Sequence, residues 1–211
     1  MCIFWSGNII NRLGFEEQLP TKYREDIVIE VSHFGCNSYR GIGSKMILYE
    51  IGPHAKSNWK QPDLNDHDRP LSKRGKRDAP RMGELLQNEH LVPEFIISST
   101  AKRARSTAKA VAKSSGYKGA ITFNRSLYVA QPAAYIDALC DVSNEYTRVL
   151  LVGHNPGLEE LVKMLTGEEL VMPTCSLVNI QLHVNSWTEI EAKTKGELRG
   201  IWRPRDLEKG G

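Results

Sequence analysis

Three short segments carry side chains suited to handling a phosphoryl group: Pro53-His54-Ala55-Lys56-Ser57, Ser99-Thr100-Ala101-Lys102-Arg103 and Gly153-His154-Asn155-Pro156-Gly157. An imidazole is partly neutral near physiological pH and can attack as a nucleophile, while a second one can donate hydrogen bonds or carry positive charge. A guanidinium offers a planar fork of N–H donors that matches the oxygens of a tetrahedral oxyanion. Two imidazoles and a guanidinium brought to one small volume would form a phosphate pocket.

The surrounding elements decide whether they meet. An apolar run at 46–51 ends at Gly52 and Pro53 and reads as a buried strand followed by a loop. A helix is expected over 72–88, with Ser72 as its cap, Ala79, Met82, Leu85 and Leu86 on its apolar face, and Pro80 as a point of bending. Residues 94–98 read as a second strand that runs directly into a helix, where Ala101, Ala104, Ala108, Val111 and Ala112 recur at helical spacing. A strand at 120–123 and a helix over 133–142 follow. The strand at 148–152 then turns through 153–157 into a helix over 158–165 that Gly167 can terminate.

Strands and helices alternating at these lengths predict a three-layer α/β fold, a mostly parallel sheet with helices on both faces. In such a sheet all three segments open at the carboxyl ends of the strands, where α/β proteins place their sites. Val178, Ile180, Leu182 and Val184 alternate with polar residues, which predicts a half-exposed strand paired with a second at 187–192 as an antiparallel edge.

Composition narrows the classes. With 40% hydrophobic and 25% charged residues the chain is typical of a folded globular protein, and 211 residues suit one main domain with an appendage. The net charge of +3, from 28 basic and 25 acidic residues, is too small to imply a nucleic-acid or membrane partner. Cys2, Cys36, Cys140 and Cys175 show neither metal-ligand spacing nor a dense disulfide framework, which favours a reducing cytoplasm. The apolar start at Cys2–Trp5 is broken by Ser6, Gly7 and Asn8 before it could form a signal-peptide core. Residues 1–45 are expected to be an N-terminal extension whose one strand-like stretch is 26–31, residues 46–207 the catalytic domain, and 208–211 a frayed tail.

Read in order, His-Ala-Lys-Ser from His54, Asp-x-Asp-Arg-Pro-Leu-Ser-x-x-Gly from Asp66, Ser-x-Ala-x-Arg-Ala-x-x-Thr-Ala from Ser99 and Gly-His-Asn-Pro from Gly153 resemble the phosphohistidine phosphatases of the SixA type, within the histidine phosphatase superfamily. Several separated motifs in the right order are far more specific than any one of them. The resemblance spans roughly residues 46–207 and implies a phosphoglycerate mutase-like fold. It further implies that His54 is the nucleophile and that His154, Arg103 and Arg69 bind the phosphoryl oxygens. The reaction would be a two-step transfer: His54 Nε2 attacks in line, a phosphoenzyme forms, and water releases phosphate, with no metal or other cofactor required. The expected partner is a protein bearing phosphohistidine or a small phosphorylated metabolite.

Each residue also has a plainer role available. A histidine after a buried strand, taken alone, is more often a hydrogen-bonded structural residue; Arg103 could belong to a solvated helix face and Arg69 to a surface ion pair. His33, His67, His90 and His183 are assigned such plain roles. Asp68, beside Arg69, is the candidate general acid. An imidazole leaving group, with a pKa near roughly 6.5, has less need of an acid than an alkoxide.

One position departs from the family pattern. Where the family has arginine immediately before the nucleophilic histidine, this chain has Pro53, which supplies neither a guanidinium nor a backbone N–H. Losing one such donor can cost roughly 3 kcal/mol of transition-state stabilisation, about a hundredfold in rate. The alternative function is therefore a phosphate-binding or regulatory protein of the same fold with impaired turnover. Mutase chemistry is a third reading, disfavoured because the chain has little room for large substrate-binding insertions.

Overall fold

The computed structural model describes residues 45–50, as a backbone strand, and 65–207. The expected strand at 26–31, the tail 208–211, and Pro53, His54 and Lys56 lie outside the described residues. In chain order the elements are β1 (Lys45–Glu50), α1 (Lys73–Asn88), β2 (Phe95–Ser99), α2 (Lys102–Ser115), β3 (Ile121–Asn124), α3 (Pro132–Cys140), β4 (Arg148–Gly153), α4 (Gly157–Thr166), β5 (Leu177–Leu182) and β6 (Gly196–Trp202). Short 3-10 turns stand at Asp66–Asp68, Arg125–Leu127 and Trp187–Glu189.

One six-stranded sheet runs in the order β3-β2-β4-β1-β5-β6. The first four are mutually parallel, with β4 between β2 and β1: Ile96 and Met46 lie opposite Leu150 and Val149, respectively. Strand β5 runs antiparallel to β1, and β6 antiparallel to β5. The mostly parallel sheet with an antiparallel edge is thus present.

The alternation of β4 divides the core. Val149 and Leu151 join Tyr135, Ile136 and Leu139 of α3 and Leu158, Leu161 and Leu165 of α4. Leu150 and Val152 face the other way, onto Ala79, Met82 and Leu86 of α1 and Ala104, Ala108 and Val111 of α2. Burial on both faces explains why β4 is a continuous apolar run. Helix α1 begins at Ser72, whose hydroxyl accepts from the Gly75 N–H at 3.0 Å, and continues through Pro80. Gly167 closes α4 at φ 80°, a conformation that favours glycine.

Two expectations about the edge are corrected. The partner of β5 is residues 196–202, not 187–192: Trp187 is buried in a 3-10 turn, donating its indole N–H to the Tyr146 carbonyl at 2.7 Å and its backbone N–H to Asn144 Oδ1 at 2.9 Å. Those bonds hold the segment beneath α3 and out of the sheet. Strand β5 is also more buried than its alternation predicts, because β6 covers its outer side and Asn179 is enclosed on the face that carries Leu177.

Candidate active site

The second and third candidate segments meet at the carboxyl ends of β2 and β4. Ser99 is the last residue of β2 and is fully buried; His154 follows β4 and is 4% exposed. Because the two strands are hydrogen-bonded neighbours, His154 Nε2 lies 2.9 Å from Ser99 Oγ. The same hydroxyl accepts from the Ala101 N–H at 3.3 Å. The backbone of His154 is held as well: its N–H donates to Tyr135 Oη at 3.1 Å, and that phenol donates in turn to the His154 carbonyl at 3.4 Å. Asn155 Nδ2 donates to the Met172 carbonyl at 2.9 Å, fixing the loop that leads into α4.

Arg103 stands in the first turn of α2, where helix geometry favours an anion. It is only 4% exposed, so it does not belong to a solvated helix face. Its Nη1 donates to the Asp66 carbonyl at 2.6 Å and its Nη2 to Asp66 Oδ2 at 3.0 Å. Arg69 Nε faces the other carboxylate oxygen of Asp66 at 3.7 Å. The two arginines assigned to phosphate therefore share one carboxylate.

Tyr128 completes the cluster. Its hydroxyl donates to Asp66 Oδ2 at 2.7 Å, and its ring meets the His154 ring edge-on with centroids 5.7 Å apart. Arg103 lies 6.0 Å from the same ring's centre. Burial pushes the Asp66 carboxyl up, but the Tyr128 hydrogen bond and the charges of Arg103 and Arg69 outweigh it, leaving the group below its ordinary value and ionised at neutral pH. The Tyr128 phenol is held above its ordinary value by burial and by that carboxylate.

Asp68, the expected general acid, is not part of this cluster. Its side chain is 63% exposed and contacts His67 Nδ1 at 3.4 Å. His67, given a plain structural role from sequence, stands closer to the site: Nε2 lies 2.9 Å from Thr100 Oγ1, and its ring packs edge-on against Tyr128 at 5.0 Å. Arg69 is half-exposed and in contact with Asp66, as its surface ion-pair role anticipates, yet that carboxylate connects it to Arg103. Asp66 and Ser99 were visible as motif positions without an assigned partner. Tyr128 lies in no motif, and only its place after the 3-10 turn at Arg125–Leu127 brings it here.

Among the described residues no group of three His, Cys, Asp or Glu side chains is placed to hold a metal ion, and no helix is long and apolar enough to cross a membrane.

The parallel strands carry a buried histidine and a buried helix-start arginine at their carboxyl edge, in a mixed α/β fold. The family model of the histidine phosphatase superfamily (branch 1) matches residues 54–125. An uncharacterized chloroplastic protein of Arabidopsis thaliana is 34% identical over 168 residues, covering 75% of this chain and 76% of the relative. The chain belongs to the histidine phosphatase superfamily. Its fold is similar to that of a protein histidine phosphatase SixA solved with tungstate, at a TM-score of 0.64 and 20% identity, covering 77% of this chain and 99% of that one. It is also similar in fold to a mycobacterial glucosyl-3-phosphoglycerate phosphatase, at a TM-score of 0.55 and 16% identity, over 75% of this chain and 98% of that one.

Proposed function

We propose that this chain is a phosphatase that transfers a phosphoryl group to His54 and then to water, with protein phosphohistidine as its substrate class. The observation that carries the proposal is the union of His154, Arg103 and Arg69 at the carboxyl edge of the parallel strands, in a chain whose His54 motif stands in the family's order. Arg103 and Arg69 would neutralise the phosphoryl oxygens, and His154, its ring held by Ser99, would donate to one of them. The in-line step forms a His54 Nε2–phosphorus bond as the bond to the leaving nitrogen breaks. Water then attacks the phosphoenzyme and releases inorganic phosphate, returning His54 as a free imidazole.

Asp66 is not the proton donor in this scheme, because an acid must hold its proton at the working pH and this carboxyl is kept ionised by its neighbours. Asp68 remains the proposed acid only for substrates whose leaving group needs one. An imidazole leaving group reduces that need, which favours phosphohistidine over a phosphorylated alcohol. Residues 46–207 would form the phosphatase domain, with 1–45 an extension to it. Limited proteolysis tests the boundary: cleavage confined to 41–44 that leaves the downstream fragment active supports it.

A second reading is kept alive by Pro53, which takes the place of an arginine that would grip phosphate. In that reading the chain binds a phosphorylated partner without efficient turnover. Phosphate release from a phosphohistidine peptide, measured for the parent, His54→Ala and Pro53→Arg, separates the two. Turnover by the parent that disappears in His54→Ala establishes the enzyme. No turnover by the parent, with turnover gained in Pro53→Arg, establishes the binding protein.

A further inference from the structure

The Asp66 carboxylate occupies an ambiguous place, in contact with both arginines that would hold the substrate's phosphate. It could be a competing anion, seated where the phosphoryl group must go. It could instead be the device that aims Arg103. These alternatives predict opposite changes in affinity when the carboxylate is removed.

The pattern of donors favours the second. A guanidinium carries five N–H bonds in one plane, on Nε, Nη1 and Nη2. Asp66 engages only the outer pair, Nη1 through its backbone carbonyl at 2.6 Å and Nη2 through Oδ2 at 3.0 Å. A competing anion would bring side-chain oxygens alone, and would leave with them. Half of this grip is main chain, belonging to the 3-10 turn at Asp66–Asp68, which Asn65 caps by accepting from the His67 N–H. Meanwhile Arg103 Nε is buried and has no hydrogen-bond partner among the described residues. Buried donors are seldom left unpaired without a functional reason.

We infer that Asp66 is a positioning residue: it clamps the outer nitrogens of Arg103 through main chain and side chain, so that the inner Nε–H edge is left to take an oxygen of the phosphoryl group. Tyr128 braces the clamp, since its hydroxyl donates to the same Oδ2 while its ring rests against His154. Arginine, turn and histidine thereby form one packed unit. The inference rests on the phosphate-binding role given to Arg103 in the proposed function.

The test is titration calorimetry of tungstate into the full chain, comparing the parent with Asp66→Ala, Arg103→Ala and the double variant, each first shown to melt cooperatively. An aimed guanidinium makes a charge-assisted contact, so Asp66→Ala is expected to weaken tungstate about tenfold or more. The double variant should bind no more weakly than Arg103→Ala alone, because the clamp has nothing left to aim. Both variants keep the main-chain carbonyl; Asp66→Asn also keeps an amide oxygen for Nη2 but not the charge that holds the guanidinium, so it should bind tungstate more weakly than the parent and more tightly than Asp66→Ala, and it provides the comparison if the alanine variant does not fold. Unchanged or tighter binding in Asp66→Ala, or in Asp66→Asn where that is the variant that folds, overturns the inference while leaving the phosphate site standing. A parent that binds no tungstate overturns the site itself, and the inference with it.

Discussion

Replacing Gly157 by alanine should disturb both stability and the site, because its Cα packs directly against a neighbouring main-chain segment. Gly157 opens α4 immediately after His154-Asn155-Pro156, and a Cβ built on it would lie 1.9 Å from the Ala130 carbonyl oxygen and 3.2 Å from Tyr135 Cε2. That is about 1.5 Å inside ordinary contact, and the obstructing atom is main chain, which cannot swing aside as a side-chain tip can. Overpacking costs about 1–3 kcal/mol, and a main-chain collision belongs at the upper end, about 3 kcal/mol. At about 2–4 °C per kcal/mol for a protein of this size, the melting temperature should fall by roughly 6–12 °C. The strain separates the loop carrying His154 from the segment that follows Tyr128, so tungstate affinity should fall as well. Differential scanning calorimetry with a parallel tungstate titration measures both. Gly116→Ala is the control: its Cβ meets open space, but its φ of +79° costs a side chain about 1–2 kcal/mol, roughly 2–8 °C. A Gly157→Ala melt within about 2 °C of the parent, or above that of Gly116→Ala, would show that the two loops do not press together as described.

Three further outcomes are expected. Ser99→Ala removes the buried partner of His154 Nε2 and should lower the unfolding free energy by about 1–3 kcal/mol and reduce kcat more than it raises KM; an unchanged kcat would sever Ser99 from the chemistry. Asp78 is fully buried in α1 and is contacted by the partly exposed Arg74 at 3.2 Å and Arg77 at 2.8 Å; Asp78→Ala should cost about 1–3 kcal/mol in urea unfolding, and no measurable loss would refute a stabilising role for these pairs. The Asp66 carboxyl is lowered by folding, so the stability it contributes is present above its unfolded value and is lost as pH falls through its lower folded value. The difference in melting temperature between parent and Asp66→Asn should thus be full at neutral pH and close below about pH 4, and a gap that persists undiminished at pH 3 would contradict the ionised assignment.

Much of the architecture was legible along the chain because its signals are local. Ala101, just before α2, and Ala104 and Ala108 within it recur at helical spacing and are buried; the apolar run of β4 proves to be covered on both faces. The two ends of the site were legible for the same reason, since a histidine and an arginine placed just after parallel strands must emerge at one edge of the sheet. The antiparallel edge was less legible. Trp187 has the character of a strand residue, yet bonds to Tyr146 and Asn144, distant in sequence, draw it into the core, and the strand forms from residues 196–202 instead.

The sequence by itself determined the fold class and the order of most elements, and it marked His154 and Arg103 as residues that follow neighbouring parallel strands, because periodicity and strand ends depend on residues near one another in the chain. Tertiary structure decided which aspartate faces the arginines and what braces them. Asp66 and Asp68 stand two residues apart in one 3-10 turn with similar chemistry, and only the packing of that turn against α2 selects Asp66 for Arg103 and leaves Asp68 beside His67. Tyr128 lies 62 residues from the carboxylate to which it donates. No local pattern encodes that contact, which arises when the sheet places two loops side by side.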